Sequence, residues 1–509
     1  MARPCCQHVA DTLWLKFVPS TPTTRIRQQN RQPLRARGEF VLYWMTSARR
    51  TRSNFGLQRA AELALELHKP LLIVEALRCG YPDACDRLHQ FVVEGMQANA
   101  AAIRQTNAHY YPYVEPRAGA GAGLIETLSR RSAVIVTDWF PSYFLPRMTA
   151  ALAQRVTVRV EAVDSNGLIP VAEHGRAFPT ARGYRAFMQR SLRNHLRQFP
   201  AEEPLQLLAE VPALKAMPAA VKAKWPRLTA AQLSDPGAFV ATLPIDHAIP
   251  PTAAQGGSAA AVRTLATFVR TKLAGYGDEH NHPDADGTSR LSPYLHFGHI
   301  AAHEVFSAVM TAERWTTRKL GKTRAGAREG WWGVSPSAEG FLDQLTVWRE
   351  LAFNGCAWTD NFAAYDTLPE WARGTLEAHL EDPRPHLYSL TQLEAADTHD
   401  EVWNAAQNQL RREGWFHGYL RMLWGKKILE WTEHPAEALQ RMEMLMNRYS
   451  LDGRDPVSYL SYGWVLGRAD RPWPEHEIFG TVRYMTSASA KRKLRMKDYL
   501  RTFAQDLPG

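Results

Sequence analysis

No stretch of this 509-residue chain is both apolar enough and long enough to cross a membrane. The first residues, MARPCCQHVADTLWLKF, lack the long apolar core of a secretory signal. Cysteine is scarce. Cys5, Cys6, Cys79, Cys85 and Cys356 are too few and too unevenly spaced for a disulfide framework, and they contain none of the CxxC pairs of a zinc site. No metal centre is therefore expected. There is no GxGxxG turn, which argues against a dinucleotide on the first sheet. Gly321-Lys322-Thr323 looks like the end of a P-loop, but the glycine which that motif requires is Thr316, so a nucleoside triphosphate site is rejected. Internal repeats and low-complexity tracts are also missing. These absences leave a soluble, intracellular protein as the expectation, cytoplasmic or, in a eukaryote, nuclear, and making no use of a membrane; a monomer is the expected state.

What is present is ample for a large core. Apolar residues make up 45% of the chain and charged ones 22%, enough for two or three domains. The formal net charge is +10. It is a weak pointer to a polyanionic partner, because a basic surface also serves solubility. Tryptophan is abundant, at 16 residues. Most such rings pack cores, and only their positions can assign them another task.

Residues 1–38 are rich in Arg, Gln, Pro and Thr and have no sustained periodicity. They read as a basic, disordered extension with a loose hold on phosphates. From Glu39 short apolar runs alternate with helical ones. Phe40–Met45, Leu71–Ala76, Tyr110–Val114, Ala133–Thr137 and Val156–Val163 read as buried strands, with Gln58–His68 and Cys85–Gln105 as helices between them. This βαβα order predicts a doubly wound parallel sheet over residues 39–170. Residues 171–257, rich in Pro, Ala and Lys, read as an inter-domain connector with short helices. Residues 258–509 read as an all-α domain, with helices at Ala260–Tyr276, His299–Arg314, Ala338–Asn354, Trp403–Trp431 and Pro435–Tyr449. Thr316–Pro336 reads as a surface insertion in it.

The most informative string is Gly287-Thr288-Ser289-Arg290-Leu291-Ser292-Pro293-Tyr294-Leu295-His296-Phe297-Gly298. A tight turn carrying hydroxyls and one guanidinium opens directly into an apolar, aromatic run. By chemistry alone this is an anion-binding helix entry. As a string it resembles the flavin-pyrophosphate loop of the DNA photolyase/cryptochrome family. Tyr43-Trp44-Met45, Val163 to Pro170 (VDSNGLIP), Trp403 to Gln407 (WNAAQ), His417 to Met422 (HGYLRM), Gly425 to Trp431 (GKKILEW) and Leu451 to Pro456 (LDGRDP) resemble the class II members. The flavin loop itself reads more like the class I form. The resemblance runs from about residue 39 to about residue 500 and covers the layout of α/β domain, linker and helical domain.

The resemblance implies FAD, folded into a U within the helical domain, and UV-damaged DNA as partner. It implies a deoxyribodipyrimidine photo-lyase that splits cyclobutane pyrimidine dimers by light-driven electron transfer. The lesion would leave the duplex stack to reach the flavin. The family also leaves room for an antenna chromophore in the first domain, which no motif here identifies. Tyr276, Thr288, Ser289, Arg290, Leu291 and Ser292 match positions that hold the flavin phosphates. Asp452 and Arg421 match a buried ion pair at the isoalloxazine. On spacing alone Trp424 and Trp431, seven residues apart, are two core rings on one helix face; the resemblance makes them, with Trp403, the class II relay from surface to flavin. Trp348, Met422, Trp464 and Asn281 match the lesion pocket. Lys426-Lys427 and the basic run Lys491 to Lys497 could meet phosphates, though such runs are more often simply solvated.

The chain also departs from the family. The glutamate that contacts the lesion is Gln344 here, an amide that donates but releases no proton. The residue beside flavin N5 is Met446, where class II generally has asparagine, and Asn447 is next to it. His280 stands where an arginine is usual, and Val457-Ser458-Tyr459 replaces Asn-Gly-Tyr. The departures admit two readings: a working repair enzyme that has drifted, or a cryptochrome-like blue-light photoreceptor with weak or no repair.

Overall fold

The structure, a computed structural model, describes residues 20–322 and 325–504. Six strands, β1 (Ile26–Gln28), β2 (Phe40–Met45), β3 (Leu71–Leu77), β4 (His109–Val114), β5 (Ser132–Asp138) and β6 (Val160–Val163), form one sheet in the order β1-β6-β5-β2-β3-β4. Strands β2 to β6 are parallel, and β1 closes one edge antiparallel to β6, with Ile26 opposite Val163. Helices α1 (Phe55–Glu66), α2 (Asp86–Ile103), α3 (Leu124–Ser129) and α4 (Leu145–Arg155) make the crossovers. Side chains alternate along β2. Phe40, Leu42 and Trp44 join a layer with Leu124, Leu128 and Leu152, whereas Val41, Tyr43 and Met45 join Phe55, Leu57 and Leu63 on the other face. Both faces are covered, which is why the strand reads as an unbroken apolar run. This is the expected doubly wound parallel sheet, with one antiparallel edge strand added.

That edge strand corrects the reading of residues 1–38 as disordered. Residues 1–19 lie outside the described part, but from residue 20 the chain is ordered. Arg25 is fully buried and donates to the carbonyls of Asp164, Gly167 and Leu168 at 3.1, 3.1 and 2.8 Å. Its charge serves the protein's own main chain and is not free for phosphates.

Residues 171–257 are also more than a connector. The helix α5 (Ala181–His195) buries Tyr184, Met188 and Leu192 in the core of the helical half, and Arg185 pairs with Asp343 at 2.7 Å. Further on, Leu205, Leu208 and Val211 cover one face of the sheet, and Met217, Val221 and Trp225 the other. The segment wraps both domains with a few large side chains set among small and polar residues, which weakens any periodic signal.

Beyond Ser258 the described residues are helical and hold no strand. Pro435–Tyr449 forms one helix, as expected. The stretch Trp403–Trp431, read as one helix, is two: Glu401–Glu413 and Gly418–Glu430. Gly414 ends the first in the left-handed region, at φ +64°, and Arg87 of α2 donates to the helix-end carbonyls of Leu410 and Arg411. Pro336–Asp343 continues through a single π-helical turn, Gln344–Trp348, into Arg349–Trp358. Such turns often mark functional positions. Thr316–Pro336 is not a surface insertion throughout. Trp331 and Trp332 are buried, and the Glu339 carboxylate accepts from the main-chain N–H groups of Gly330, Trp331 and Trp332.

The domains are joined next to that π-turn. Arg349 donates to the Asn166 carbonyl at 2.7 Å, and Glu350 accepts from Leu168 N–H at 2.7 Å and Tyr184 O–H at 3.0 Å. Burial pushes the Glu350 carboxyl up to about 7 against the pull of these donors. The VDSNGLIP segment is thus the seam between the sheet and the helices that carry the candidate site.

Candidate flavin and lesion site

The Thr288–Ser292 loop is forced into shape by close packing. A Cβ at Gly287 would meet the Glu279 main chain at 2.9 Å, and Arg290 adopts φ +55°, a conformation rare for a side-chain-bearing residue. Ser292 opens the short helix Ser292–His296 with Pro293 in its first turn. The Thr288 hydroxyl is buried without a hydrogen-bond partner, and Ser289 Oγ accepts from Leu291 N–H at 3.4 Å. Arg290, expected on the flavin phosphates, is already engaged. It pairs with Asp286 and Glu413, each at 3.0 Å, and its guanidinium lies 3.6 Å from the Trp415 ring centroid. Its partner Glu413 lies 123 residues further along the chain, so no local pattern revealed the pairing. Tyr276 is buried, stacked on His280 at 4.6 Å and edge-on to Phe268 and Phe341.

Arg421 and Asp452 form the buried pair expected of them, with Nη2 to Oδ1 at 3.2 Å. Ser450 donates to Asp452 Oδ1 at 2.6 Å. Burial opposes the aspartate's charge, yet Arg421, Ser450 and Ser292 together hold its carboxyl below the usual range. Ser292 therefore brings the glycine-led loop up to this ion pair. Asn447 Oδ1 and Arg421 Nε are both buried without a partner. An unmade buried hydrogen bond costs about 1–3 kcal/mol. Thr288 Oγ1, Arg421 Nε and Asn447 Oδ1 together offer a hydroxyl, a cationic donor and an acceptor, a set that fits the phosphates and the imide edge of a flavin dinucleotide. Met446 is fully buried in the last turn of its helix, and Ser458, in the departing Val457-Ser458-Tyr459 segment, donates to the Asp452 carbonyl at 2.8 Å.

The three tryptophans come together. Trp403 and Trp424 stack with centroids 6.3 Å apart and planes 2° from parallel, and Trp431 meets Trp403 edge-on at 5.5 Å. Trp403 Nε1 donates to the Trp424 carbonyl at 3.0 Å, and Trp424 Nε1 to Gln407 Oε1 at 2.9 Å. Gln407 was missed as a supporting residue, although it lies one helical turn after Trp403. None of the three rings reaches the surface. Trp431 is 1% exposed and touches Tyr388 and His399.

Trp348, Met422 and Trp464 are half-buried, and the helices that carry Met422 and Trp464 pack against one another, while Gln344 and Asn281 are exposed. Lys426 and Lys427 do not meet phosphates from the surface. Both are buried, and Lys427 pairs with Glu430 at 2.8 Å. The Ser487–Lys493 helix presents the basic C-terminal run, although Lys491 pairs with Glu401. A separate cavity of about 560 Å³ lies at the carboxyl edge of the sheet, lined by Trp44, Tyr113, Phe140, Phe144, Met148 and Phe297 among others. Among the described residues no group of His, Cys, Asp and Glu could hold a metal ion, and no helix is long and apolar enough to cross a membrane.

No family model matches the chain. Individual proteins do. It is 33% identical over 480 residues to the deoxyribodipyrimidine photo-lyase of Methanothermobacter thermautotrophicus, covering 94% of this chain and 97% of that one. It is 31% identical to the deoxyribodipyrimidine photo-lyase of Arabidopsis thaliana (92% and 90% covered) and 30% identical to that of Potorous tridactylus (92% and 82%). Its fold matches the crystal structure of a class III photolyase from Agrobacterium tumefaciens with TM-score 0.67 at 16% identity, over 92% of this chain and 86% of that one. With the two-domain architecture and the buried tryptophan cluster already in view, this similarity along nearly its whole length makes the chain a member of the deoxyribodipyrimidine photo-lyase family.

Proposed function

We propose that this protein is a class II photolyase, which repairs cyclobutane pyrimidine dimers in UV-damaged DNA with light and FAD. The observation that carries the reading is the buried stack of Trp424, Trp403 and Trp431, each ring within 6.3 Å of the next. Three fully buried indoles with neighbouring centroids this close offer a conduit for an electron, and packing alone does not call for two of them to lie parallel. Bound FAD would supply the photochemistry that sends an electron into the dimer and takes it back. Tyr276, Thr288, Ser289, Leu291 and Ser292 would hold its phosphates. Arg290 would brace that loop through Asp286 and Glu413 and leave the phosphates to hydroxyls and main-chain N–H groups. Arg421 and Asp452 would fix the ring: the carboxylate accepts from its imide N–H and the guanidinium favours negative charge on it.

Trp348, Met422 and Trp464 would stack on a flipped-out dimer. Gln344, exposed at the start of the π-turn, would donate an N–H to a dimer carbonyl, and Asn281 would add a polar contact. The cavity at the carboxyl edge of the sheet is where open parallel sheets bind ligands, and it would seat an antenna chromophore. A second reading, a photoreceptor with little repair, is favoured by Gln344 and Met446: an amide cannot release a proton to the lesion, and a thioether cannot donate to the flavin.

The test is photoreversal of an oligonucleotide with one cyclobutane thymine dimer, under reducing anaerobic light, by the yellow, FAD-loaded protein. Gln344→Glu should split dimers faster than the wild type, by about tenfold, since general acid assistance contributes at least this much elsewhere. If neither form splits the dimer, the photoreceptor reading stands. If the purified protein is colourless and takes up no FAD, both readings fall.

A further inference from the structure

Lys426 has no task in the site described so far, and it is an unusual lysine. Its side chain is 0% exposed. No carboxylate among the described residues pairs with it. The ammonium donates to the Val465 carbonyl at 2.5 Å, at the last residue of the Pro456–Val465 helix. It also lies 5.4 Å from the ring centroid of Trp464 and 5.9 Å from that of Phe479. Trp464 is half-buried, so the cation sits on its inner side and leaves part of the indole open. Arg483 lies 5.5 Å from the same indole and 4.8 Å from that of Trp473.

The charged groups facing Lys426 are Asp470, which favours its charge, and Arg483, which opposes it. Both belong to the segment after the Trp464 helix. That helix itself offers the Val465 carbonyl and the indole, and on Lys426's own helix Lys427 turns away to Glu430.

We propose that Lys426 is a positioning residue for Trp464. Its buried ammonium, bonded to the end of the helix that carries the indole and set against the ring, holds the stacking wall of the lesion pocket. Lesion binding then follows the protonation of this one lysine. The role of Trp464 in lesion binding rests on the proposed function; the coupling of lysine to indole does not.

Burial pulls the Lys426 pKa from its ordinary 10.5 down to about 7. The sign matters. Between these two values the unfolded chain binds more protons than the folded one, so the charge opposes folding, and does so fully below about pH 7. A residue kept for stability alone would be apolar here. Below neutrality the ammonium supplies a charged hydrogen bond and a cation–π contact; above it the amine keeps only a weak hydrogen bond.

Two measurements on the full-length, FAD-loaded protein decide the matter. In the first, the Trp464 indole N–H signal, assigned with Trp464→Phe, is followed by NMR between about pH 6 and about pH 8.5. It should shift with a midpoint near neutrality in the wild type and stay still in Lys426→Met. A flat wild-type signal, or an unchanged titration in Lys426→Met, overturns the proposal. In the second, affinity for the dimer-containing oligonucleotide is measured against the undamaged one. Wild-type preference for the lesion should weaken about tenfold across that pH range, the scale of a desolvated cation–π contact, and Lys426→Met should show the weak value throughout. Lys426→Met should melt no lower than the wild type, and this separates lost positioning from misfolding. Retention of the wild-type pH step by a folded Lys426→Met overturns the proposal. If the indole titrates as described but the wild type prefers damaged DNA at no pH, the lesion reading fails and the lysine–indole coupling stands.

Discussion

Trp424→Phe should reduce photoreduction of the bound, oxidised flavin to a small fraction of the wild-type rate. Trp424 is the ring that stacks parallel on Trp403, and it stands between that ring and the Phe416–Arg421 end of its helix, where the Asp452 pair lies. Phenylalanine keeps most of the apolar volume but is far harder to oxidise than indole, so the break is electronic more than structural. The structural component is separate and measurable. Gln407 Oε1 loses its donor, and an unsatisfied buried acceptor costs about 1–3 kcal/mol. A thermal melt reads that loss, while flavin absorbance under illumination with an external reductant reads the electron transfer. Trp403→Phe should behave alike, since Trp403 touches both other rings. If Trp424→Phe photoreduces at the wild-type rate, the three tryptophans are core residues and nothing more.

Much of this fold is legible in the sequence, and for identifiable reasons. The strands of the sheet announce themselves because they are buried on both faces, so Phe40–Met45 and the centre of Ser132–Asp138, Ala133 to Val136, read as unbroken apolar runs. Pro435–Tyr449 carries its own start signal, a proline at the first helical position, and a clear apolar stripe. What escaped is what depends on partners distant in sequence. β1 is three residues, Ile-Arg-Gln, with a single apolar side chain, and it exists because β6 offers an edge and Arg25 finds three carbonyls more than 130 residues away.

The same holds at the site. Arg421 and Asp452 are found by resemblance and form a buried pair; that Ser292, assigned to the flavin phosphates, also reaches Asp452 was not foreseen. That Arg290 is occupied by Glu413, or that Lys426 is buried, is written in no local pattern, because lysine and arginine are surface residues on composition alone. The break at Gly414 was hidden because Trp415 and Phe416 continue an apolar helical periodicity across it. Only the left-handed backbone at the glycine, and Arg87 arriving from the other domain to bond the helix-end carbonyls, separate the two helices.

Arg421→Met should both strip the protein of flavin and invert the contribution of Asp452 to its acid response. In the wild type, Asp452 is ionised inside the protein and its carboxyl is held below the ordinary range, against strong burial, by Arg421, Ser450 and Ser292. A carboxyl depressed in the folded state stabilises the fold above its unfolded pKa, and that contribution is lost as pH falls through the folded value. Removing the guanidinium leaves a buried carboxylate with hydroxyl donors but no cation, a change that typically costs about 3–5 kcal/mol. Burial then dominates and drives the carboxyl upward. The variant's remaining stability is greatest with Asp452 protonated and declines as pH rises from the unfolded pKa through the new folded one. The melting temperature of Arg421→Met relative to the wild type should therefore fall further behind as pH rises from acid toward neutrality. The double variant Arg421→Met, Asp452→Asn removes the lone charge and should regain stability relative to Arg421→Met, without regaining tight FAD binding if the pair grips the ring. Should the double variant hold FAD as firmly as the wild type, the Arg421–Asp452 pair is a structural bridge, and the flavin is held elsewhere.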